Sequence, residues 1–122
     1  MPENDSFNEL FCRQRMNQIF LLSNGKYNDF TDKHSVEPED DPKLCSYHVQ
    51  QLMSEIGEVL EADKRWKNFR NDKCDLDNKY EEIADCFIVL MNIAMFSGME
   101  AQDLYDIISA KISTVSERIQ KC

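Results

Sequence analysis

The sequence contains few glycines and no clustered metal-binding cysteines or histidines. Only three glycines occur in 122 residues, and neither GxGxxG nor GxxxxGK[ST] is present, so the two common phosphate-binding loops are excluded. The five cysteines are scattered without a CxxC pair, which argues against a zinc site and against a disulfide framework. Free thiols fit a reducing compartment, and we expect a cytoplasmic protein.

Positive charge and long hydrophobic runs are also scarce. Fourteen Lys and Arg stand against 23 Asp and Glu, a net charge of −9, which argues against nucleic-acid binding and against binding to an anionic membrane. The longest apolar stretch, 83–96, is too short and too broken to span a bilayer, and the N-terminus lacks the pattern of a signal peptide. We expect one domain, 1–122, that can still bind a polyphosphate through a divalent metal.

The hydrophobic spacing predicts an all-α protein without strands. Ser6 is the expected N-cap of the first helix, with Glu9 completing a capping box. Asp41-Pro42 resembles an N-cap followed by proline at the first helical position, and Gly98 suits the position just after a helix. The expected helices are about 6–23, 43–68, 78–97 and 101–120, and residues 24–42 form a loop.

Two pairs of carboxylates stand out, Glu55 with Glu58 and Glu82 with Asp85. The members of each pair are three residues apart, so on a helix they project from nearly the same face. A single ExxE motif means little, because acidic residues also fill solvated helix faces. Glu55 and Glu58, however, fall beside the apolar stripe of their helix, at the rim of the expected core.

Asp85 lies in an unusually apolar segment. From 83 to 96 only Asp85 and Asn92 are polar, and a helix that is apolar all round is expected to be buried. A buried carboxylate needs a cation or strong donors, since an unpaired buried charge is costly. Asn92 follows two turns later on the same face and extends this line of polar groups.

The chemistry of the four carboxylates favours a hard divalent cation. Mg²⁺, with Mn²⁺ as the alternative, is held by a few carboxylates while it retains water and substrate phosphates. A di-iron site of the ferritin type is the competing interpretation, but it uses Glu-x-x-His pairs, and the sequence contains none. A purely structural helical protein would leave Asp85 and Asn92 unexplained.

Other polar and aromatic residues have a structural interpretation as the default. In the first helix, polar residues form a solvated face in preference to a ligand contact; they are Arg13, Gln14, Arg15, Asn17 and Gln18. His34 is expected at the surface. Trp66, the only tryptophan, is expected to pack in the core or an interface, with stacking on a base as the alternative.

These motifs resemble the all-α nucleoside triphosphate pyrophosphatases, which include MazG-like proteins, dimeric dUTPases and dCTP pyrophosphatases. The resemblance is carried by SEIGEV at 54–59 and EEIADCFIVLMNIA at 81–94, which match the family pattern of ExxE, a spacer and [E/D]xxD. Asn92, Gly98 and Lys111 also fall at family positions, and the resemblance covers roughly 44–120. Ser54 departs from it, because MazG-like chains commonly carry a second glutamate there.

The resemblance implies a four-helix MazG-like bundle completed by homo-oligomerisation, as a dimer or tetramer. It implies hydrolysis of a nucleoside triphosphate, either a deoxynucleotide or a non-standard nucleotide, to the monophosphate and pyrophosphate. Glu55, Glu58, Glu82 and Asp85 would hold Mg²⁺ and serve catalysis, by activating water for attack on the α-phosphorus. Asn92 would orient a carboxylate or contact the sugar, and Lys111 would neutralise phosphate charge. The alternative is a non-catalytic nucleotide-binding or regulatory oligomer.

Overall fold

The computed structural model describes residues 5–31, 33–63 and 74–121. Within these ranges all regular secondary structure is helical and there is no strand, which confirms the all-α prediction. The α-helices are α1 (Asp5–Ser23), α2 (Leu44–Ala62), α3 (Leu76–Phe96) and α4 (Ala101–Lys121), and a short 3₁₀ turn covers Pro38–Asp40.

The helix ends lie close to the predicted positions, with two corrections at the caps. Ser6 lies inside α1, so the capping box placed there is wrong. The N-cap of α2 is Lys43 rather than Asp41, because the Asp41 side chain accepts a hydrogen bond of 2.6 Å from Thr31 Oγ1 instead. The predicted segment 64–68 of the second helix, with Trp66, lies outside the described residues.

Two glycines with positive φ end α1 and α3. Gly25 has φ 67° and Gly98 has φ 91°, values that glycine adopts without the steric penalty of a Cβ. A Schellman turn follows each of these helices. In the turn after α3, the N–H of Met99 donates to the C=O of Ala94 at 3.0 Å. Gly98 therefore ends the third helix, as the sequence predicts.

The core forms where α1 crosses the C-terminal half of α3 and the start of α2. Leu44, Met95 and Phe96 are fully buried there, and the His48 ring packs against Phe96 with ring centroids 4.7 Å apart. The remaining buried apolar residues of this core are Phe11, Leu22, Tyr27 and Ala94. The contact between α2 and α3 is the most extensive helix–helix contact among the described residues.

The apolar segment of α3 is only partly covered within one chain. Asn92 and 94–96 are buried, but Phe87 is 63% exposed and Leu90 is 45% exposed. Within one chain this half of the helix is therefore exposed, because α1 crosses only near its C-terminal end, and burial of the whole apolar run stays a prediction.

The fourth helix does not fold back along the third. The chain direction changes by 113° between α3 and α4, whereas neighbouring helices in an antiparallel bundle reverse by about 160°. α4 packs chiefly against α1, where the rings of Phe7 and Tyr105 have centroids 6.1 Å apart. In 101–121, all of which the structure describes, no side chain is buried.

The connection between α1 and α2 is held against α1 by an ion-pair clamp. Arg15 binds both oxygens of Glu39, at 2.9 and 3.1 Å, and also binds Glu37. Pro38, between these two glutamates, is buried, and Asp41 is fully buried. His34 is exposed, as expected.

A helix must be both long and apolar to cross a bilayer. In the described residues no single helix is long and apolar enough to cross a bilayer. Only α3 and α4 taken together meet the criterion, on length and composition alone, and they are bent at the break between them.

Candidate metal centre

Contacts between the end of α2 and the start of α3 fix the relative positions of the two carboxylate pairs. Lys79 Nζ lies 2.6 Å from Asp63 Oδ2, and the N–H of Asp75 donates to the C=O of Ala62 at 3.1 Å. Asp75 also caps α3 by accepting from the N–H of Asn78. Counted from these contacts, the ExxE pair of α2 and the ExxD pair of α3 lie a similar number of residues along their helices. The two pairs therefore meet where the two helices face each other.

Three of the four predicted ligands meet at this face. Carboxylate oxygens of Glu55, Glu82 and Asp85 all lie within 4.8 Å of one another. The Oε2 atoms of Glu55 and Glu82 are buried and have no hydrogen-bond partner among the described residues. Leaving buried polar oxygens unpartnered costs free energy, so the arrangement favours a ligand that supplies the missing interaction.

The fourth predicted ligand, Glu58, lies next to this triad. Its hydrogen bond with Glu82 is the largest cause that raises the pKa of the Glu82 carboxyl to about 7, followed by desolvation and by the charges of the other carboxylates. Desolvation and the charges of Glu58 and Asp85 raise the pKa of Glu55 as well. Among the described residues, the charges that shift these two pKa values are all negative.

The triad fits a hard divalent cation. Its donors are all carboxylate oxygens, the ligands that Mg²⁺ and Mn²⁺ prefer. Because these oxygens lie within 4.8 Å of one another, Glu55, Glu82 and Asp85 could hold one such ion together. A cation would also remove the repulsion between the carboxylates and provide a partner for the two buried oxygens.

The sequence analysis missed Cys86, which lies beside the triad. Desolvation, followed by the charges of Glu55, Asp85, Glu82 and Glu58, raises the pKa of its thiol. Its position directly after Asp85 is the only signal in the sequence that could have indicated this neighbourhood.

Asn92 is held by a residue of α1. Its side chain is buried, and its Oδ1 accepts a hydrogen bond of 2.9 Å from Gln14 Nε2. Asn92 lies seven residues after Asp85, or about 10 Å along the helix, so the two do not share one ion. The interpretation of the polar α1 side chains as a solvated face is thus wrong for Gln14 and for Gln18, which is buried. No local pattern links residues 78 positions apart.

A groove of about 450 Å³ opens beside this pair of amides, between α1 and α3. Its lining combines apolar side chains with the polar ends of α1 residues: Leu10, Arg13, Gln14, Met16, Asn17, Ile88 and Met91. Asn17 Nδ2 donates to Gln14 Oε1 at 3.2 Å, so the polar groups of the groove form a connected series that ends at Asn92.

Lys111 lies apart from the other predicted site residues. It is exposed on α4, where it borders a shallow apolar surface formed with Ile107, Ile108, Ile112, Val115 and Ser116. Because α4 turns away from α3, the single chain does not bring this lysine alongside the carboxylates.

The chain was compared with protein-family models, with curated proteins and with solved structures. None of the three comparisons gives a match. The assignment of function therefore depends on the geometry of the site and on the sequence resemblance.

Proposed function

We propose that the protein is a Mg²⁺-dependent nucleoside triphosphate pyrophosphohydrolase that releases the monophosphate and pyrophosphate. The observation that carries the proposal is the convergence of Glu55, Glu82 and Asp85 from two helices, with two buried and unpartnered oxygens. A protein with net charge −9 repels a free triphosphate, and a cation held by these carboxylates reverses that repulsion locally. The resemblance to all-α pyrophosphatases supports the same reaction.

The chain supplies a binding site for the cation and a base for the reaction. When bound, Mg²⁺ neutralises phosphate oxygens and makes water more acidic. Water adds its oxygen to the α-phosphorus, the bond from this phosphorus to the bridging oxygen breaks, and pyrophosphate leaves. Glu58, next to the triad, would accept the proton that water loses, and Glu55, Glu82 and Asp85 would hold the cation.

The remaining polar groups would bind the rest of the nucleotide. In this proposal Asn92, fixed by Gln14, presents its free amide hydrogens toward the sugar, and the α1–α3 groove provides room for it. Lys111 contributes positive charge to the phosphates. The protein acts as a homo-oligomer, because the exposed apolar faces of α2, α3 and α4 need a partner surface.

Product analysis tests the proposal directly. The protein is incubated with a panel of ribo- and deoxyribonucleoside triphosphates plus Mg²⁺, with an EDTA control, and monophosphate, diphosphate, pyrophosphate and free phosphate are quantified. We expect monophosphate with pyrophosphate, lost under EDTA, and the ranking of bases then gives the substrate preference.

Two outcomes contradict the proposal. Diphosphate with free phosphate means that water attacks the γ-phosphorus. Absence of turnover for every nucleotide by folded protein favours the non-catalytic nucleotide-binding alternative, which calorimetric titration with the same nucleotides then tests.

A further inference from the structure

We propose that Asp63 keeps the ammonium of Lys79 away from the carboxylate cluster, so that the cluster stays free for the divalent cation. Lys79 lies on α3 one turn before Glu82, and its ammonium pairs with Asp63 at the end of α2. This inference rests on the cation site of the proposed function but not on nucleotide hydrolysis. It goes beyond that function because it gives a role to two residues that lie outside the cluster.

The ion pair between Asp63 and Lys79 is short and largely shielded from water. Lys79 Nζ lies 2.6 Å from Asp63 Oδ2, and the two side chains are only 23% and 18% exposed. The pair joins the C-cap residue of α2 to the start of α3. Because a partly buried pair is screened by salt much less than an exposed one, the ammonium is held firmly at this place.

A second anion lies within reach of the same ammonium. Residues three apart on a helix are neighbours, with Cβ atoms about 5–6 Å apart, and Lys79 and Glu82 have this spacing. Glu82 Oε2 is nevertheless buried without a hydrogen-bond partner among the described residues. The side chains that shift the pKa of Glu82 are all carboxylic acids, and Lys79 is not among them. The ammonium of Lys79 is therefore directed to Asp63 and not to the cluster.

The direction of this ammonium matters because a lysine and a divalent cation compete for the same carboxylates. An ammonium bound at Glu82 would neutralise one of the charges that hold the cation and would repel the cation itself. Loss of one partner of a buried ion pair leaves the other charge uncompensated. Without Asp63, the ammonium of Lys79 is drawn to the nearest group of negative charges, which is the cluster that includes Glu82.

Asp75 is the other anion close to Lys79 on the same helix. It lies four residues before Lys79, a spacing that also allows contact. Its side chain, however, already accepts a hydrogen bond of 3.1 Å from the N–H of Asn78 as the N-cap of α3. Glu82, by contrast, belongs to a group of four carboxylates whose negative charges act together. We therefore expect the released ammonium at Glu82 in preference to Asp75.

Cation binding by variants of this ion pair tests the proposal. Mn²⁺ is titrated into each metal-free protein, and the free ion is measured by electron paramagnetic resonance. Asp63→Asn should weaken Mn²⁺ binding about tenfold, because it releases Lys79. Lys79→Met should bind Mn²⁺ as tightly as the wild-type protein does, and the double variant should recover the wild-type affinity. This recovery distinguishes the proposal from a structural role, in which losing both partners is no better than losing one.

Control measurements separate this result from unfolding and from a general charge effect. Asp77→Asn removes the same charge from an exposed position at the start of α3 and should leave the Mn²⁺ affinity nearly unchanged. Circular dichroism and thermal melts establish that each variant is folded. Wild-type affinity of Asp63→Asn overturns the proposal, as does a double variant that binds as weakly as Asp63→Asn. Weakened binding by Lys79→Met alone also overturns it, because that result assigns the ion pair a purely structural role.

A cross-linking readout locates the ammonium without metal or substrate. Each metal-free protein is treated with a zero-length carbodiimide and digested for mass spectrometry. We expect Lys79 joined to Asp63 in the wild-type protein and to Glu82 in Asp63→Asn. Links of Lys79 only to Asp75 in the variant, or to no carboxylate, overturn the proposal. Wild-type protein that hydrolyses no nucleotide, in a series that shows the expected links and Mn²⁺ affinities, refutes the proposed function and leaves the role of Asp63 standing.

Discussion

Gln14 and Asn92 join the first helix to the third through a side-chain hydrogen bond of 2.9 Å. We predict that Gln14→Ala and Asn92→Ala each destabilise the fold and that their effects are not additive. A double-mutant cycle measured by urea unfolding should give a coupling free energy of about 1 kcal/mol. Glu9→Ala, at an exposed position of α1, is the control; strictly additive effects of the first two changes would contradict the bond.

Asp85→Asn should abolish nucleotide hydrolysis and leave the protein folded. The change keeps the shape of the side chain but removes one negative charge from the triad, so cation binding is weakened. We expect a loss of activity on the order of 100-fold or more, with an unchanged circular dichroism spectrum. Glu81→Gln, an exposed residue on the same helix, should remain active, and near-full activity of Asp85→Asn would make the metal assignment wrong.

Cation binding should weaken as the pH falls below about 7. The pKa of Glu82 is raised to about 7, so below that pH its carboxyl holds a proton that the cation must displace. In this regime the affinity for Mn²⁺ or Mg²⁺, measured by calorimetry, should fall about tenfold per pH unit. Without metal, the free energy of unfolding changes with pH in the opposite direction to cation affinity. Because the carboxyl pKa is raised in the native state, that state becomes less stable as the pH rises from 4.5 toward 7.

Glu82→Gln should remove most of this pH dependence, because it cannot hold or release the proton. The same titration of the variant is therefore the control. An affinity that stays constant between pH 5 and pH 8 in the wild-type protein would contradict the assignment of Glu82 as a protonated ligand.

His48 should make the fold sensitive to acid. Desolvation lowers the pKa of His48 to about 4 from 6.5, so the unfolded chain binds this proton more readily than the native one. Its contribution to the free energy of unfolding is fully present above pH 6.5 and is lost as the pH falls from 6.5 toward 4. His48→Phe should flatten this part of the stability curve, whereas substitution of exposed His34 by Gln should leave it unchanged.

Light scattering should give a mass of more than one 14.3 kDa chain. Large apolar side chains on three helices are exposed in the single chain, including Met53, Phe87 and Ile112 at 60 to 69%, and patches of this kind mark interfaces. Ile112→Lys should weaken the assembly because it places a second charge in the apolar surface beside Lys111. A monomeric wild-type protein at micromolar concentration would contradict this prediction.

Local sequence signals were sufficient for the helices and for the carboxylate pairs. Apolar spacing and Gly98 set the limits of α3 because the periodicity and the positive φ are properties of nearby residues. The meeting of Glu55 with Glu82 could be anticipated from their motifs, since both pairs lie on consecutive helices and match one family pattern.

Relationships between distant parts of the chain could not be predicted in this way. The contact of Gln14 with Asn92 and the clamp of Arg15 on Glu39 depend on how α1 crosses the other helices, and no short pattern encodes a crossing. The direction of α4 likewise depends on packing between Phe7 and Tyr105. The apolar composition of α3 indicated that other residues would cover this helix. It could not distinguish residues of the same chain from residues of another chain.

The clamp of Arg15 also changes the effective length of the connection between α1 and α2. A tether that is free between its two ends has a conformational entropy that grows slowly with its length, by about 0.6 kcal/mol per doubling. Arg15 fixes this connection in its second half, at Glu37 and Glu39, and so divides it into a longer and a shorter span. Unfolding of one span then leaves the other anchored, and two of the acidic side chains of this segment are held against α1 by the ion pairs.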